Sequence, residues 1–194
     1  MDQLTRTVID LIDERMHSRS HLLVAIDGRC ASGKTSLAGK LQRHYGCNVI
    51  HMDHFFLRPE QRTQERLNTP GENVDHERFL EEVLMPLKRG EGFSYCPFDC
   101  SVQTLSEPVT IIPGALTIIE GSYSCHLTLR DHYDLRIFLT VGSKEQMCRI
   151  TERNGEEKAK MFQNRWIPLE ERYFSAFEVA QRCDYRFDTS VEAK

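Results

Sequence analysis

The segment Gly28-Arg29-Cys30-Ala31-Ser32-Gly33-Lys34-Thr35 constrains this chain more than any other. It is a complete G-x-x-x-x-G-K-[ST] loop. The apolar run Leu22–Ile26 comes just before it and reads as a buried strand; Ser36-Leu37-Ala38-Gly39-Lys40-Leu41 follows and reads as the first turns of a helix. Strand, glycine loop and helix form the setting in which such a loop cradles phosphate. The glycines let the backbone curl so that successive N–H groups face one anion. The helix N-terminus adds its partial positive charge. Gly28, Ala31, Ser32, Gly33, Lys34, Thr35 and Ser36 are therefore the expected contacts to a nucleoside triphosphate. Lys34 is placed to reach the outer phosphates, and the Thr35 hydroxyl to hold Mg²⁺.

At 194 residues the chain is expected to be one domain with a substantial core. Its net charge is −4 and it has no dense Lys/Arg block, which argues against nucleic acid as the main partner. No apolar stretch approaches the length of a membrane span. The amphipathic start has no signal-peptide core, so no membrane association and a cytoplasmic location are expected. Seven cysteines make an odd count without C-x-x-C spacing, which reads as reduced, mostly structural thiols. Cys30 lies inside the phosphate loop and raises the hypothesis of an oxidation-sensitive thiol, against the plainer reading of a small residue that fits.

Leu4, Val8, Ile9, Leu11, Ile12 and Met16 fall near one face of an opening helix. A second strand is expected over Asn48–Met52, ending at Asp53. The polar stretch 57–73, with Pro59, Pro70 and Gly71, reads as a long surface excursion. A helix is expected over 74–84 with Asp75 as its N-cap. Residues 93–98 and 109–112 read as strands of a small hairpin-like insert. Ala115–Ile119 is a continuous apolar run and reads as a central strand ending at Glu120, and 135–139 is another strand. Residues 143–153 and 168–182 read as helices, and Tyr185-Arg186-Phe187 as a last short strand. Alternating strands and helices with long crossovers predict an α/β fold, a mostly parallel central sheet covered on both faces. Ligands on such sheets gather at the carboxyl ends of strands, where Gly28, Asp53 and Glu120 all fall.

Asp53 is placed to accept the proton of an attacking hydroxyl or to help orient Mg²⁺; the competing reading is a turn cap. An ionised Glu120 at the end of an apolar strand needs a partner, either Mg²⁺ or an arginine. Arg149 and Arg153, four apart on one helix face, and Arg165 beyond them suit clamping of phosphate charge, against the default of a solvated face. Phe55, Phe56, Tyr95, Phe98 and Tyr123 are candidate walls of an acceptor pocket, against the default of core packing. His51 and His54 flank Met52-Asp53 and read as ordinary polar or core residues rather than as a metal pair.

Taken together, Gly28–Thr35, Asp53-His54-Phe55-Phe56, Tyr95-Cys96-Pro97-Phe98-Asp99, Ile118-Ile119-Glu120-Gly121 and the Arg149–Arg153 segment resemble the uridine kinase branch of the P-loop kinases. The order and spacing follow that family from about Leu22 onward. The resemblance implies a P-loop NTPase three-layer sandwich with a small β insert (about 54–112, at the acceptor site) and a helical lid (about 149–166). It also implies transfer of the γ-phosphoryl group of ATP, with Mg²⁺, to a hydroxyl of a small molecule, most naturally a nucleoside such as uridine or cytidine. On the matching positions Asp53 is the catalytic carboxylate, Thr35, Glu120 and Asp53 face the metal, and Lys34, Arg149 and Arg153 act on the phosphates. Asp53, Phe55, Phe56, Phe98, Gln103, Tyr123 and Arg165 fall toward the acceptor. Family members often form dimers or tetramers, so a homo-oligomer is compatible with the resemblance.

Three departures concern the acceptor. The aromatic pair Phe55-Phe56 lacks the hydroxyl that uridine and cytidine kinases usually carry there. Leu67-Asn68-Thr69-Pro70-Gly71 replaces their ribose-gripping Asp-His-Pro segment. Phe98-Asp99 stands for a Tyr-Asp pair, with Gln103 the nearest polar residue where the family places a His. Hydrogen bonds of this kind discriminate strongly between substrates, so kinases of other small alcohols, such as nicotinamide riboside or pantothenate, stay open as readings. A nucleotide-binding regulator that has lost transfer is the reading from another class.

Overall fold

The computed structural model describes residues 1–190. In chain order the strands are β1 Leu22–Gly28, β2 Asn48–His51, β3 Phe93–Tyr95, β4 Phe98–Asp99, β5 Thr104–Leu105, β6 Val109–Ile111, β7 Leu116–Glu120, β8 Leu135–Thr140 and β9 Tyr185–Asp188. The helices are α1 Gln3–Met16, α2 Lys34–Tyr45, α3 Gln64–Asn68, α4 His76–Phe79, α5 Met85–Arg89, α6 Ser143–Asn154, α7 Glu156–Met161, α8 Ile167–Ala176 and α9 Val179–Arg182. Five strands form one parallel sheet in the order β2-β7-β1-β8-β9.

Every residue of β1 is buried, as expected for a central strand covered on both faces. Its alternation decides which layer each side chain joins. Leu22, Val24 and Ile26 pack with Val8, Ile9 and Ile12 of α1 and Leu37, Ala38 and Leu41 of α2. Leu23 and Ala25 face the other core, with Val83, Leu84, Tyr173 and Phe174. The result is a three-layer α/β sandwich with small antiparallel inserts. The opening helix starts where Asp2 accepts from the Thr5 N–H at 3.0 Å, and it covers one face of the sheet as its periodicity requires.

The insert differs in detail from expectation. β3 pairs antiparallel with β6, but Phe98 belongs to a second ribbon, β4 with β5. Pro97 explains the break, because it has no N–H to continue the first ladder. The excursion 57–73 carries α3, capped by the Thr63 hydroxyl on the Arg66 N–H at 3.1 Å. Asp75 caps α4 at the Arg78 N–H, 3.1 Å away, as its position predicts. That helix runs past residue 84, through a wide π turn at Leu80–Leu84 and into α5. The polar segment after α6 is helical too: α7, a second π turn at Phe162–Trp166, and then α8. The expected helix 168–182 is interrupted at Glu178, where φ is +51°, so α9 is a separate turn. Strand β2 ends one residue early, and Met52–Phe55 forms a 3₁₀ turn that carries Asp53. No helix among the described residues is long and apolar enough to cross a membrane.

Candidate active site

The loop after β1 is held in shape by contacts its own sequence does not contain. Gly28 lies in register with Leu139 of β8, and its φ is +136°. A Cβ added there would fall 2.0 Å from the Leu139 carbonyl oxygen, so only glycine fits. Gly33 is different. Its φ is +91° and an added Cβ would meet nothing within 4 Å, so its role is conformational. Ala31 also takes a positive φ, +58°. Ser32 is buried and its hydroxyl has no partner among the described residues; Ser36 is exposed in the first turn of α2.

Two buried carboxylates support this loop. Asp27 is completely buried and accepts from the N–H groups of Gly28 (2.6 Å) and Cys125 (2.8 Å) and from the Tyr173 hydroxyl (2.7 Å). Glu170 accepts from the Cys30 N–H at 2.9 Å and lies 2.8 Å from the Ser122 hydroxyl. Burial raises the pKa of both, while these hydrogen bonds oppose the shift. Burial and then Glu170 push the Cys30 thiol up to about 12. With Cys30 9% exposed, this favours the plainer reading of a small residue that fits, because a buried protonated thiol is a poor nucleophile. The Arg29 side chain of the loop forms a two-pronged ion pair with Glu171, at 2.6 and 3.0 Å.

Lys34 is buried against the loop. Its ammonium donates to the carbonyl oxygens of Gly28 (2.7 Å) and Arg29 (2.9 Å) and lies 3.4 Å from Ser122 Oγ. Thr35, one residue on, places its hydroxyl 3.1 and 3.2 Å from the two oxygens of Glu120. Glu120 is itself buried at the end of β7, and its partner is His51 rather than an arginine, with Nδ1 2.5 Å from Oε1. That contact raises the His51 pKa. Asp53 stands two residues after His51 and remains open to solvent. Its carboxyl pKa is raised, first by the protein crowding the cleft and then by Glu120; Lys34, His51 and Arg153 pull the other way. Lys34, Thr35, Glu120, His51 and Asp53 thus meet at the carboxyl ends of three adjacent strands.

The arginines separate in the structure. Arg149 is tied to the back of the loop: it donates to the carbonyls of Ala31 (3.1 Å) and Thr189 (2.7 Å) and pairs with Glu145 (3.0 Å). Arg153 is exposed, 5.9 Å from the Phe162 ring, with Nε on the Asn154 side chain at 2.8 Å. Arg165 is exposed over Trp166 at 4.7 Å. The aromatic residues separate too. Phe55 and Tyr123 are at most 2% exposed and Phe98 is 3% exposed. Phe55 packs on Phe79 and Tyr95, with ring centroids 4.9 and 5.1 Å away, and Tyr123 packs on Tyr173. These three are interior packing and not open wall. Phe56 is half-buried, bridged to Val74, and Gln103 is exposed with its amide turned to the Cys100 carbonyl.

Sequence reasoning missed Asp27, Glu170, Ser122 and the His51–Glu120 contact. Asp27 did carry a signal: an ionisable residue that closes a wholly apolar run must find hydrogen bonds or remain costly.

No protein-family model matches the chain, and no curated protein matches it. Solved structures do. A possible uridine kinase from Bacillus stearothermophilus is 22% identical with a TM-score of 0.68, covering 94% of this chain and 98% of its own. A candidate fructose transport system kinase from Silicibacter sp. TM1040 is also 22% identical with a TM-score of 0.68, covering 95% and 97%. A candidate P-loop containing kinase with a circular permutation from Saccharomyces cerevisiae is 12% identical with a TM-score of 0.66, covering 98% and 99%. The fold is the one seen in P-loop kinase structures.

Proposed function

We propose that this chain is a kinase that uses MgATP to phosphorylate a hydroxyl of a small molecule, with a uridine- or cytidine-like nucleoside as the first acceptor to test. The observation that carries the reading is the Thr35 hydroxyl set against both oxygens of Glu120, with Lys34 and Asp53 at the same rim. The residues suit the nucleotide. The loop leaves no room for a Cβ at Gly28, opens to free space at Gly33, and presents an ammonium whose present partners are only loop carbonyls and a hydroxyl. An all-oxygen set from Thr35, Glu120 and Asp53 suits Mg²⁺. When bound there, Mg²⁺ neutralises charge on the phosphates.

In the proposed reaction Lys34 and the loop amides bind the triphosphate. Asp53 orients the acceptor hydroxyl and takes its proton as the oxygen–phosphorus bond forms and the β–γ bridge breaks, leaving ADP. A raised carboxyl pKa suits a proton acceptor. Arg153 and Arg165, exposed on the helical segment 149–166, are placed to meet phosphate charge when that segment closes. Arg149 acts by positioning the loop. Other small alcohols, such as nicotinamide riboside or pantothenate, remain a second reading, because no hydroxyl stands at Phe55-Phe56 and Gln103 points back at its own turn. A regulator that binds nucleotide without transfer is disfavoured by the retained Asp53, Glu120 and Lys34.

The test is phosphate transfer from MgATP to a panel of nucleosides, nicotinamide riboside, pantothenate and sugar phosphates, with Asp53→Asn as control. Product from one acceptor, lost in the variant while ATP still binds, is the expected result. ATP binding with no transfer to any acceptor would favour the regulator.

A further inference from the structure

A second cluster lies away from the loop, where the excursion meets the start of α4 and the segment after β7. Glu72, His76 and His126 each offer one ligand atom, and the three atoms lie within 4.8 Å of one another. Glu72 Oε1 is 3.0 Å from His76 Nε2 and 3.9 Å from His126 Nε2. His76 is 7% exposed and His126 3%. Among the described residues, His126 Nε2 is buried without a hydrogen-bond partner. Either tautomer of His126 leaves that nitrogen unsatisfied: as N–H it has no acceptor in range, and as a lone pair it has no donor. A buried polar atom in this state needs a partner that the described residues do not supply.

From this geometry we propose that Glu72, His76 and His126 form a binding site for a divalent transition-metal ion of the zinc class. Two imidazoles and a carboxylate suit zinc, with the fourth position left to water. The surroundings are those of a built site. The Nδ1 atoms of His126 and His76 lie 3.0 and 3.1 Å from one oxygen, the Thr128 hydroxyl. That oxygen can accept from both rings, which turns both Nε2 lone pairs toward Glu72. Loading shifts one contact, because the Thr128 N–H now lies 3.3 Å from His126 Nδ1. Glu72 keeps its other oxygen on Arg66, 3.4 Å away, which fixes the carboxylate. Gly71 makes the approach feasible: a Cβ there would fall 2.8 Å from the His126 ring.

The two rings are stacked 4.0 Å apart at 19°. Tetrahedral bonds of about 2.0–2.1 Å put ligand atoms about 3.3 Å apart, so the Nε2 edges must tilt together on binding. Arg66 also pairs with Glu77, whose carboxylate lies 3.6 Å from His76 Nε2. The cation therefore meets two carboxylates and one guanidinium, a net charge that still favours it. The ion would tie the excursion and α4 to the loop after β7. It is distinct from the oxygen set at Thr35 and Glu120, and the inference stands whether or not the chain is a kinase.

The test is titration of chelator-treated full-length protein, in excess Mg²⁺, with Zn²⁺ by calorimetry and with Co²⁺ by visible absorption. One equivalent is expected to bind, with the intense d–d bands of a four-coordinate Co²⁺ site and a higher thermal midpoint. Glu72→Gln keeps the hydrogen bond from Arg66 Nε to the backbone carbonyl of residue 72, 3.1 Å, and is expected to weaken binding at least about tenfold, the size of loss seen even for supporting groups. Thr128→Val, which touches no metal, is expected to weaken it too. No binding below millimolar Zn²⁺ would overturn the proposal. So would one equivalent held equally well by folded Glu72→Gln and His76→Asn, which would put the ion elsewhere.

Discussion

Gly28 and Gly33 open and close the same loop, yet replacing each with alanine should have very different consequences. At Gly28 the new Cβ would lie 2.0 Å from Leu139 O, 2.7 Å from Leu139 N and 2.8 Å from Leu139 C, all of it backbone. No side-chain rotation relieves this. β1 and β8 must part by about an ångström at their register, where Arg29 N–H also donates to Leu139 O at 3.1 Å. Overpacking of this kind costs about 1–3 kcal/mol. A residue forced to φ +136° adds about 1–3 kcal/mol. The strained ladder bond adds about 1 kcal/mol. Gly28→Ala should therefore lose about 3–7 kcal/mol, which is a large share of a typical domain's stability. Gly33→Ala meets nothing within 4 Å and sits at φ +91°, ψ 14°, near the left-handed well. It should lose only about 1–2 kcal/mol. Equilibrium unfolding in urea, followed by far-ultraviolet circular dichroism and by the single tryptophan, Trp166, measures both. A Gly28→Ala loss within 1 kcal/mol of the Gly33→Ala loss would refute the steric reasoning.

Other perturbations probe the site. Asp53→Asn should abolish transfer and leave nucleotide binding intact. It should also stabilise the free protein at neutral pH, because the raised Asp53 pKa means the ionised form is the disfavoured one. That gain should vanish below the unfolded carboxylate pKa, where both proteins are neutral at this position; denaturant midpoints at pH 8 and pH 3 decide it. Tyr173→Phe removes one of three donors to buried Asp27 and should cost about 1–3 kcal/mol, read from the urea midpoint. Cys30, with its thiol pushed up to about 12, should resist iodoacetamide at pH 8 in the native protein and react only on unfolding, which peptide mapping reports. Native labelling at the rate of a free thiol would show that the loop opens readily.

The part of this site legible in the sequence is the part whose logic is local. Gly28 to Thr35 are contiguous, so strand, turn and helix signals frame them without reference to the rest of the chain. Asp53 and Glu120 were legible because each ends an apolar run, and a parallel sheet brings strand ends to one rim. What supports the loop was not legible, because its contacts span the chain. Asp27 meets Tyr173, 146 residues later, and the Cys30 N–H meets Glu170, 140 residues later. Helical spacing puts Arg149 and Arg153 on one face, but it cannot tell that Arg149 is spent on the Ala31 carbonyl while Arg153 stays exposed. Phe55 and Phe56 are neighbours of the same type, and the 3₁₀ turn alone decides that Phe55 enters the core. This division has a physical cause. The phosphate-facing groups must be backbone amides in sequence, so the motif is written in one stretch. Holding those amides still needs buried acceptors from behind, and any element that packs against the loop can provide them. The loop motif is therefore a reliable guide to where an anion binds. Asp27, Glu170 and Tyr173 hold that loop from behind, and which groups they meet can be identified only from the fold.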